Sequence, residues 1–529
     1  MGVTSTTIDA LAAWLQAREG GPVQVVQTHI SWLLLTPLHA YKLRKPVNLG
    51  FLDFEGAERR WEDGLAELRL NRRFAPRLYV GLCALTGTDT APALEPWPED
   101  EPAGPGVREG VVCMRRFPPG ARLDELWQAG RLDAVLADAL ADAVVDAHER
   151  AEVVQATELA GPHEMLAFVA ENLQQVEQLM GASKPSIGAD ERELLRRYGE
   201  WSRAEEVRLL PVMQARQQVG RVRDGHGDLH LENLCVFEGR VTLFDALEFD
   251  ARLRRIDVMN DLAFLLMDLI VRGAHRVASR VRQRYLDRTG DFGGLAVLRY
   301  YLAYRAMVRY KIARLMPAGD PRSAAYLGVV RACMAPAARG LVLMHGLSGS
   351  GKTTASQQIV ERLDAVRLRS DVWRDRVPQS PAAPRYAPEQ VDRVYEALAQ
   401  EAGRLLDAGQ VVVVDATFLR RTHRDRFRAL AGERGVPWQW VHCHAPHEVL
   451  AERVRQRQAL GGDASQADVA VLAQQVSMQD ALVAGEEGAV VSAPLGVLSA
   501  EALANLSAAM RPSVDQPGCN TLEAGATGS

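Results

Sequence analysis

Cysteine is scarce in this chain, and positive charge is not in excess over negative charge. The six cysteines stand at positions 83, 113, 235, 333, 443 and 519, and no two of them form a CxxC pair. Scattered thiols of this kind are typical of reduced cysteines in a cytoplasmic protein and exclude a disulfide framework. The formal net charge of −5 gives no basic excess, so we expect neither nucleic acid nor an anionic membrane as a partner.

Long apolar runs are also missing. The longest run, LAFLLMDLIV at residues 262–271, is interrupted by Asp268 and is too short to cross a bilayer. It predicts a buried helix. The first twenty residues have neither a basic segment nor a long apolar segment, so no signal peptide is expected.

Residues 1–335 have the pattern of a few-stranded sheet followed by a helical body. A helix, strand-like stretches and an amphipathic helix at residues 55–73 come first, and helical periodicity dominates residues 123–335. The stretch TAPALEPWPEDEPAGPG at residues 90–106 is rich in proline and acid, and predicts a solvated loop. The pattern as a whole predicts a two-lobed α+β domain.

Residues 340–510 alternate strands and helices. Apolar segments such as LVLMH and VVVVDAT are each followed by a helical pattern. Repeated βα units imply a parallel sheet with helices on both faces, so we predict an α/β domain. Residues 511–529 are polar and glycine-rich, which predicts disorder.

A phosphate-binding motif begins the second domain. The sequence GLSGSGKT matches G-x-x-x-x-G-K-[ST] between an apolar strand and a helix. Its glycines allow the backbone amides to surround a phosphate at the positive end of the helix. We expect Lys352 to contact the β- and γ-phosphates and Thr353 to hold Mg²⁺. The predicted nucleotide-binding residues are Gly346, Leu347, Ser348, Gly349, Ser350, Gly351, Lys352, Thr353 and Thr354.

Four other residues of this domain suit phosphoryl transfer. Asp415 ends a buried strand and is placed to support Mg²⁺, and Asp371 follows the second strand as a candidate base. Asp371 alternatively caps a helix. Arg453 and Arg457 lie one helical turn apart and are candidate phosphate ligands, or else part of a solvated helix face.

The second domain resembles small P-loop kinases of the gluconate kinase and zeta-toxin type, often described as AAA-family ATP-binding domains. The resemblance covers residues 341–498 and depends chiefly on the GLSGSGKT motif. It implies transfer of phosphate from ATP to a small hydroxyl compound.

The first domain contains a second, different motif, HGDLHLENLCVF, which is close to the kinase loop H-R-D-L-x-x-x-N. In kinases the Asp accepts the substrate hydroxyl proton and the Asn holds Mg²⁺, roles that fall here on Asp228 and Asn233. Asp245, near the end of the following VTLFDALEF strand, is placed to bind the metal. Gly227 replaces the kinase Arg, and Ala-Leu replaces Phe-Gly after Asp245.

These departures are typical of the aminoglycoside phosphotransferase and choline kinase family, which the first domain resembles over residues 24–315. The resemblance implies a nucleotide-binding Lys on the third strand and a helical Glu partner. Lys42 and Glu67 fit best; Arg44, Lys45 and Glu62 are competitors. No glycine-rich loop precedes Lys42, and the side chains of Thr28, His29 and Ser31 occupy that position instead.

Two clusters allow more than one interpretation. Arg305 and Arg309 share a helix face, which suits either an anionic substrate or a salt-bridged helix. Histidines occur in the HGDLH loop and in VHCHAPH, where a metal site is the alternative to packed side chains.

The sequence therefore predicts a fusion of two ATP-dependent phosphotransferase domains that use ATP and Mg²⁺. The partner of each is a small hydroxyl compound of unspecified identity, and the oligomeric state is left open. The alternative is a nucleotide-gated regulatory protein that binds or hydrolyses ATP without a small-molecule product.

Overall fold

The computed structural model describes residues 3–48, 54–155, 161–182, 188–315, 320–378, 384–460, 465–481 and 490–510. The chain divides into two compact units. The first contains the residues up to Gly290 and Ala296–Met334; the second contains Asp291–Leu295 and the residues from Ala335 onward. The prediction of disorder for residues 511–529 lies outside the described residues.

The first unit begins with a six-stranded antiparallel sheet in the order β1-β2-β3-β6-β4-β5. Its strands are β1 Gln24–Gln27, β2 Ser31–Leu35, β3 His39–Arg44, β4 Tyr79–Gly87, β5 Pro92–Trp97 and β6 Glu109–Arg115. Helix α1 (Ser5–Glu19) packs through Ile8 and Leu11 on one face. Helix α2 (Ala57–Asn71) packs through Trp61 and Leu68 on the other face.

The prediction of a solvated loop at residues 90–106 was wrong for its first half. Residues Pro92–Trp97 form β5 and pair with β4 at the sheet edge. Leu94 is buried in the same apolar cluster as residues of α1, and the burial of this side chain favours strand formation here. Proline is compatible with an edge strand because a missing N–H on the outer side breaks no ladder bond.

The rest of the first unit is mainly helical. Its elements are α3 Leu123–Gln128, α4 Ala134–Arg150, α5 Pro162–Ala182, α6 Ala189–Gln218, β7 Val222–Asp224, β8 Leu234–Phe237, β9 Arg240–Leu243, β10 Arg255–Asp257, α7 Val258–Val271, α8 His275–Thr289, α9 Leu295–Leu315 and α10 Ser323–Met334. A buried cluster joins α5, α6, α7, α9 and α10, with Phe264 of α7 and Tyr310 of α9 among its members. The apolar run at residues 262–271 is thus a buried helix, as predicted. None of the described helices is long and apolar enough to cross a membrane.

The second unit contains a five-stranded parallel sheet in the order β12-β13-β11-β14-β15. Its elements are β11 Gly340–His345, α11 Lys352–Leu363, β12 Val366–Arg369, α12 Ser370–Arg376, α13 Pro388–Asp407, β13 Val411–Asp415, α14 Arg421–Glu433, β14 Trp438–His444, α15 His447–Leu460, α16 Val469–Ser477, β15 Val490–Pro494 and α17 Ala500–Ala509. The predicted fold class, a two-lobed α+β part followed by a parallel α/β part, is confirmed.

Two kinds of ion pair stabilise the helical body. Between α4 and α8, Asp138, Asp142 and Asp146 pair with Arg280, Arg284 and Arg288 at 2.7, 2.9 and 3.0 Å on the protein surface. By contrast, Arg216 and Asp257 are buried and form two bonds of 2.7 and 2.8 Å. Asp257 also accepts the Met259 N–H at 2.9 Å and so caps α7.

We expect Asp257→Ala to destabilise α7 by about 3–5 kcal/mol, because it removes the carboxylate that pairs with the buried Arg216 guanidinium. Asp142→Ala, the surface control, should cost about 1 kcal/mol or less. Hydrogen exchange of α7 and α4 peptides in the full chain measures both free energies of opening. Equal effects of the two substitutions would contradict this account.

Candidate functional sites

The carboxylate of Asp261 shapes the HGDLH loop of the first unit. It accepts the N–H groups of His226 and Gly227 at 2.8 and 3.0 Å. Gly227 has φ of +81°, and a Cβ there would lie 2.9 Å from the Cβ of Arg254. This position therefore requires glycine, which explains why the kinase Arg is replaced.

Asp228 follows in this loop with its carboxylate held by two neighbours. Asn233 Nδ2 donates to Oδ2 at 3.0 Å, and His230 Nε2 lies 3.3 Å from the same oxygen. Burial works to raise the pKa of Asp228, but His230 and Arg309 outweigh it, and the pKa is lowered. The side chain is 35% exposed, so an ionised carboxylate faces an accessible space.

Asp245 lies two residues beyond β9, not within it, because the strand ends at Leu243. Its φ is +58°, and its N–H donates to the Tyr79 hydroxyl at 3.1 Å. The preceding Phe244 N–H donates to the Asn233 carbonyl at 3.0 Å. Asn233 and Asp245 therefore stand on directly neighbouring backbone segments.

Lys42 links the sheet to Asp245. Its Nζ donates to Glu67 Oε1 at 2.9 Å and to Asp245 Oδ1 at 2.5 Å. Burial works to lower the pKa of Lys42, but Asp245 and Glu67 outweigh it, and the pKa is raised. The competitors lie elsewhere: Glu62 is exposed, and Lys45 binds the Thr28 carbonyl and the Trp32 ring.

Arg44 is a second buried cation that sequence reasoning treated only as a competitor. It shares a strand face with Lys42 and donates to the same carboxylate, Glu67, at 2.6 Å. It also bonds Asp63 at 2.6 Å and contacts Glu248. Burial raises the pKa of Glu248 to about 8 although Arg44 opposes the rise. The sequence signal for Arg44 was the alternation of basic and apolar residues in YKLR, which places Lys42 and Arg44 on the same strand face.

The turn before Lys42 uses its hydroxyls internally. Thr28 Oγ1 accepts the Ser31 N–H at 2.9 Å, and Ser31 Oγ accepts a hydrogen bond from Arg44 at 3.2 Å. Two of the three side chains expected to contact phosphate are thus engaged with the protein itself.

The donor set of Asn233 and Asp245 fits Mg²⁺, which prefers amide and carboxylate oxygens. The described residues contain no group of three or more His, Cys, Asp or Glu arranged for a metal. His226 instead braces the loop, since its Nε2 lies 2.9 Å from the Phe244 carbonyl oxygen.

In the second unit the glycine-rich turn connects β11 to α11. Gly346, Gly349 and Gly351 have φ values of +138°, +83° and +91°. A Cβ at Gly349 would lie 2.8 Å from the Leu450 carbonyl oxygen. Both the backbone conformation and the lack of space require glycine here, and a turn of this kind can direct its amide groups toward a phosphate.

Lys352 begins α11 beneath this turn, with its Nζ donating to the Leu347 carbonyl at 2.8 Å. Burial lowers the pKa of Lys352, and Asp415 only partly opposes this. Asp415 accepts the Ser356 hydroxyl at 3.1 Å at the end of β13, while the Thr353 side chain is exposed. A phosphate bound in this turn would give the Lys352 ammonium an anionic partner.

The turn opens on a cavity of about 620 Å³, the size of a small-molecule site. Asp371, Arg453 and Arg457 all line it. Asp371 is not the helix cap, because Arg369 holds that position. Arg453 Nη1 donates to the Gly349 carbonyl at 3.3 Å, and Arg457 donates to the Ala467 carbonyl at 2.8 Å.

Several cavity residues were not found from the sequence. His423 stacks on Tyr395 at 3.8 Å between ring centroids and lies 2.7 Å from Asp392 Oδ1. Gln475 of α16 accepts the Ser348 N–H at 2.9 Å. No motif marks these residues, since they meet only through the packing of α13, α14 and α16 beside the glycine-rich turn.

Curated proteins similar to this chain include uncharacterized proteins of Mycobacterium tuberculosis and Mycobacterium bovis. Each is 29% identical over 473 residues, covering 85% of this chain and 89% of the relative. A match of that length spans both units.

Solved structures similar to parts of this chain include two kinases. A sugar kinase of Janibacter sp. is 23% identical and covers 32% of this chain and 93% of its own, with a TM-score of 0.26. A choline/ethanolamine kinase family protein of Mesorhizobium loti is 14% identical, covering 62% and 93%, with a TM-score of 0.37.

A family model described as "AAA domain" matches residues 341–482. This range contains the glycine-rich turn, Lys352, Asp415 and most of the cavity lining. The match agrees with the phosphate cradle and with the expected resemblance of this half. Residues 341–482 therefore form a P-loop domain that matches the AAA domain model.

Proposed function

We propose that the chain is an ATP-dependent phosphotransferase with two nucleotide sites, one in residues 1–335 and one in residues 340–510. Each transfers the γ-phosphate of ATP to a hydroxyl of a small molecule. One observation carries the proposal: the Lys352 ammonium lies in the glycine-rich turn that opens on the cavity, and no carboxylate among the described residues bonds to it. The five cysteines that the structure describes are free thiols, which favours a cytoplasmic setting.

In the first site, Asp228 is the proposed base for the acceptor hydroxyl. Asn233 and His230 keep its carboxylate ionised and oriented, which is the state that accepts a proton. Lys42 is proposed to bind the nucleotide phosphates, and Glu67 holds it in position. The chemistry depends on positioning and charge neutralisation more than on covalent participation by the protein.

In the second site, the cradle amides and Lys352 are proposed to bind the phosphates, together with Arg453 and Arg457. Asp371 is the proposed base. The paired His423 and Asp392 lie in the same cavity and are a second candidate for handling the acceptor proton.

Mg²⁺ would be held by Asn233 and Asp245 in the first site, and by Thr353 with support from Asp415 in the second. Bound there, the ion would neutralise phosphate charge.

One contact favours the nucleotide-gated alternative. The Ser348 amide, a member of the phosphate cradle, donates to the Gln475 side chain. A phosphate oxygen on the Ser348 amide would have to displace the Gln475 side chain, so nucleotide binding would be coupled to a rearrangement of this α16 residue. Release of free phosphate with no labelled organic product would support this function over phosphotransfer.

We expect Asp228→Asn to reduce turnover at the first site about 10²- to 10⁴-fold, because the amide cannot accept the hydroxyl proton. The measurement uses the full chain with Lys352→Ala, γ-labelled ATP and a mixture of sugars, sugar acids, amino alcohols and aminoglycosides. Asp146→Asn, an exposed change on α4, is the control and should have no effect. Unchanged transfer in Asp228→Asn would refute this base.

Lys352→Ala should weaken ATP binding at the second site about 10- to 100-fold, because it removes charge-assisted bonds to phosphate. Equilibrium binding of labelled ATP is measured with and without Lys42→Met, which separates the two sites. If the affinity of the second site did not change, Lys352 would not be a phosphate ligand.

A further inference from the structure

The sheet order of the second unit defines two sides of the glycine-rich turn. Strand β11, which leads into this turn, is central in the order β12-β13-β11-β14-β15. All five strands are parallel, so the loops after β12 and β15 leave the same edge of the sheet as the turn, on opposite sides of it. Neighbouring strands lie about 4.8 Å apart, which puts the start of each of these loops about 10 Å from the turn.

The acceptor of the proposed reaction belongs on the β12 side. Asp371, the proposed base, follows β12 directly in α12. In phosphoryl transfer the attacking and leaving oxygens lie roughly in line with the phosphorus, so the rest of the donor extends away from the acceptor. The nucleoside of the donor is therefore expected on the β15 side.

Residues 494–498, here called the β15 turn, lie directly against the glycine-rich turn. A Cβ at Gly351 would lie 2.7 Å from the Gly496 Cα, so the two backbones are in contact. Arg453 of α15 joins the two turns, because its Nη1 donates to one carbonyl in each of them, at 3.3 and 3.5 Å. A nucleotide with its phosphates in the glycine-rich turn would thus have the β15 turn beside it.

Two apolar side chains of the β15 turn are exposed and line the cavity. Leu495 is 47% exposed and Val497 is 58% exposed. Leu495 has φ of +55°, a conformation that is uncommon for a residue with a Cβ. Ligand sites commonly place apolar side chains against the apolar faces of the ligand. Beside a phosphate site, the flat apolar face of a nucleotide is that of its base.

The backbone hydrogen-bonding groups of the β15 turn are used within the protein. The four consecutive N–H groups of residues 495–498 all donate to protein acceptors, at 2.9, 3.1, 3.1 and 3.2 Å. The carbonyl groups of Leu495 and Gly496 accept hydrogen bonds from Arg453 and Gln358. The sequence of the turn, PLGVL, has no polar side chain. The turn can therefore cover the face of a base, but it has no free N–H group with which to recognise the edge of adenine.

We propose that the second site binds the base of its phosphate donor by apolar contact with Leu495 and Val497 and does not distinguish adenine from guanine, so that it binds GTP as well as ATP. The inference rests on the proposed nucleotide site and widens its donor from ATP to purine nucleoside triphosphates. Lys352 and the glycine-rich turn supply the affinity for the phosphates, which both nucleotides share.

The first test compares nucleotides on the full chain carrying Lys42→Met, so that the second site is measured. Labelled ATP is displaced by GTP and, separately, by inorganic tripolyphosphate, in the presence of Mg²⁺. We expect the Kd for GTP to lie within about 10-fold of the Kd for ATP, because hydrogen bonds that recognised one base would discriminate by about 10- to 100-fold or more.

The second test removes the apolar contact. The double variant Leu495→Ser, Val497→Ser should raise the Kd for ATP and for GTP about 5- to 50-fold and leave the Kd for tripolyphosphate unchanged, because tripolyphosphate has no base. Unchanged binding of tripolyphosphate also shows that the glycine-rich turn is intact in the variant. Leu460→Ser, an exposed change on α15 outside the cavity lining, is the control and should alter no Kd.

Three results would overturn the inference while the proposed nucleotide site stands. They are a Kd for GTP more than 10-fold above that for ATP, an unchanged Kd for ATP in the double variant, and an equal loss of ATP and tripolyphosphate in that variant. Binding of ATP and tripolyphosphate that is the same in Lys352→Ala would instead refute the proposed nucleotide site, and the inference with it.

Discussion

A single buried ammonium, that of Lys42, connects three separate segments of the first unit. It comes from β3, and its partners Glu67 and Asp245 come from α2 and from the segment after β9. A charge buried without its partner would cost several kcal/mol, so these three segments must assemble together. The same assembly places Asp245 beside Asn233 and Asp228. The geometry of the proposed site thus follows from the ion pairs that the buried Lys42 forms with Glu67 and Asp245.

The second unit also has a lysine in its proposed site, Lys352, but its bonding partner is of a different kind. In the part of the chain that the structure describes, Lys352 is held by a backbone carbonyl and not by a carboxylate, and burial lowers its pKa. The cavity beside it is lined by the arginines of α15 and also by Asp371 and Asp415. The first unit neutralises its lysine with two carboxylates, whereas the described part of the second unit provides its lysine with a backbone carbonyl.

Local motifs made both loops recognisable in advance. GLSGSGKT and HGDLHLENL each place glycines where the backbone has positive φ and no room for a Cβ, a requirement that acts within a few residues. The period-2 pattern of YKLR likewise put Lys42 and Arg44 on one face. By contrast, β5 was missed, because its proline and acid composition is that of a loop and only the packing of Leu94 against α1 makes it a strand.

Short-range sterics and periodicity were enough to predict the two-lobed and parallel-sheet folds, the two glycine-dependent loops and the charged residues within those loops. Which distant charges meet could be seen only in the folded chain. The Lys42–Glu67 pair and the His423–Asp392 pair join residues far apart in the chain. Pairings of this kind depend on how whole helices pack, and no local pattern encodes them.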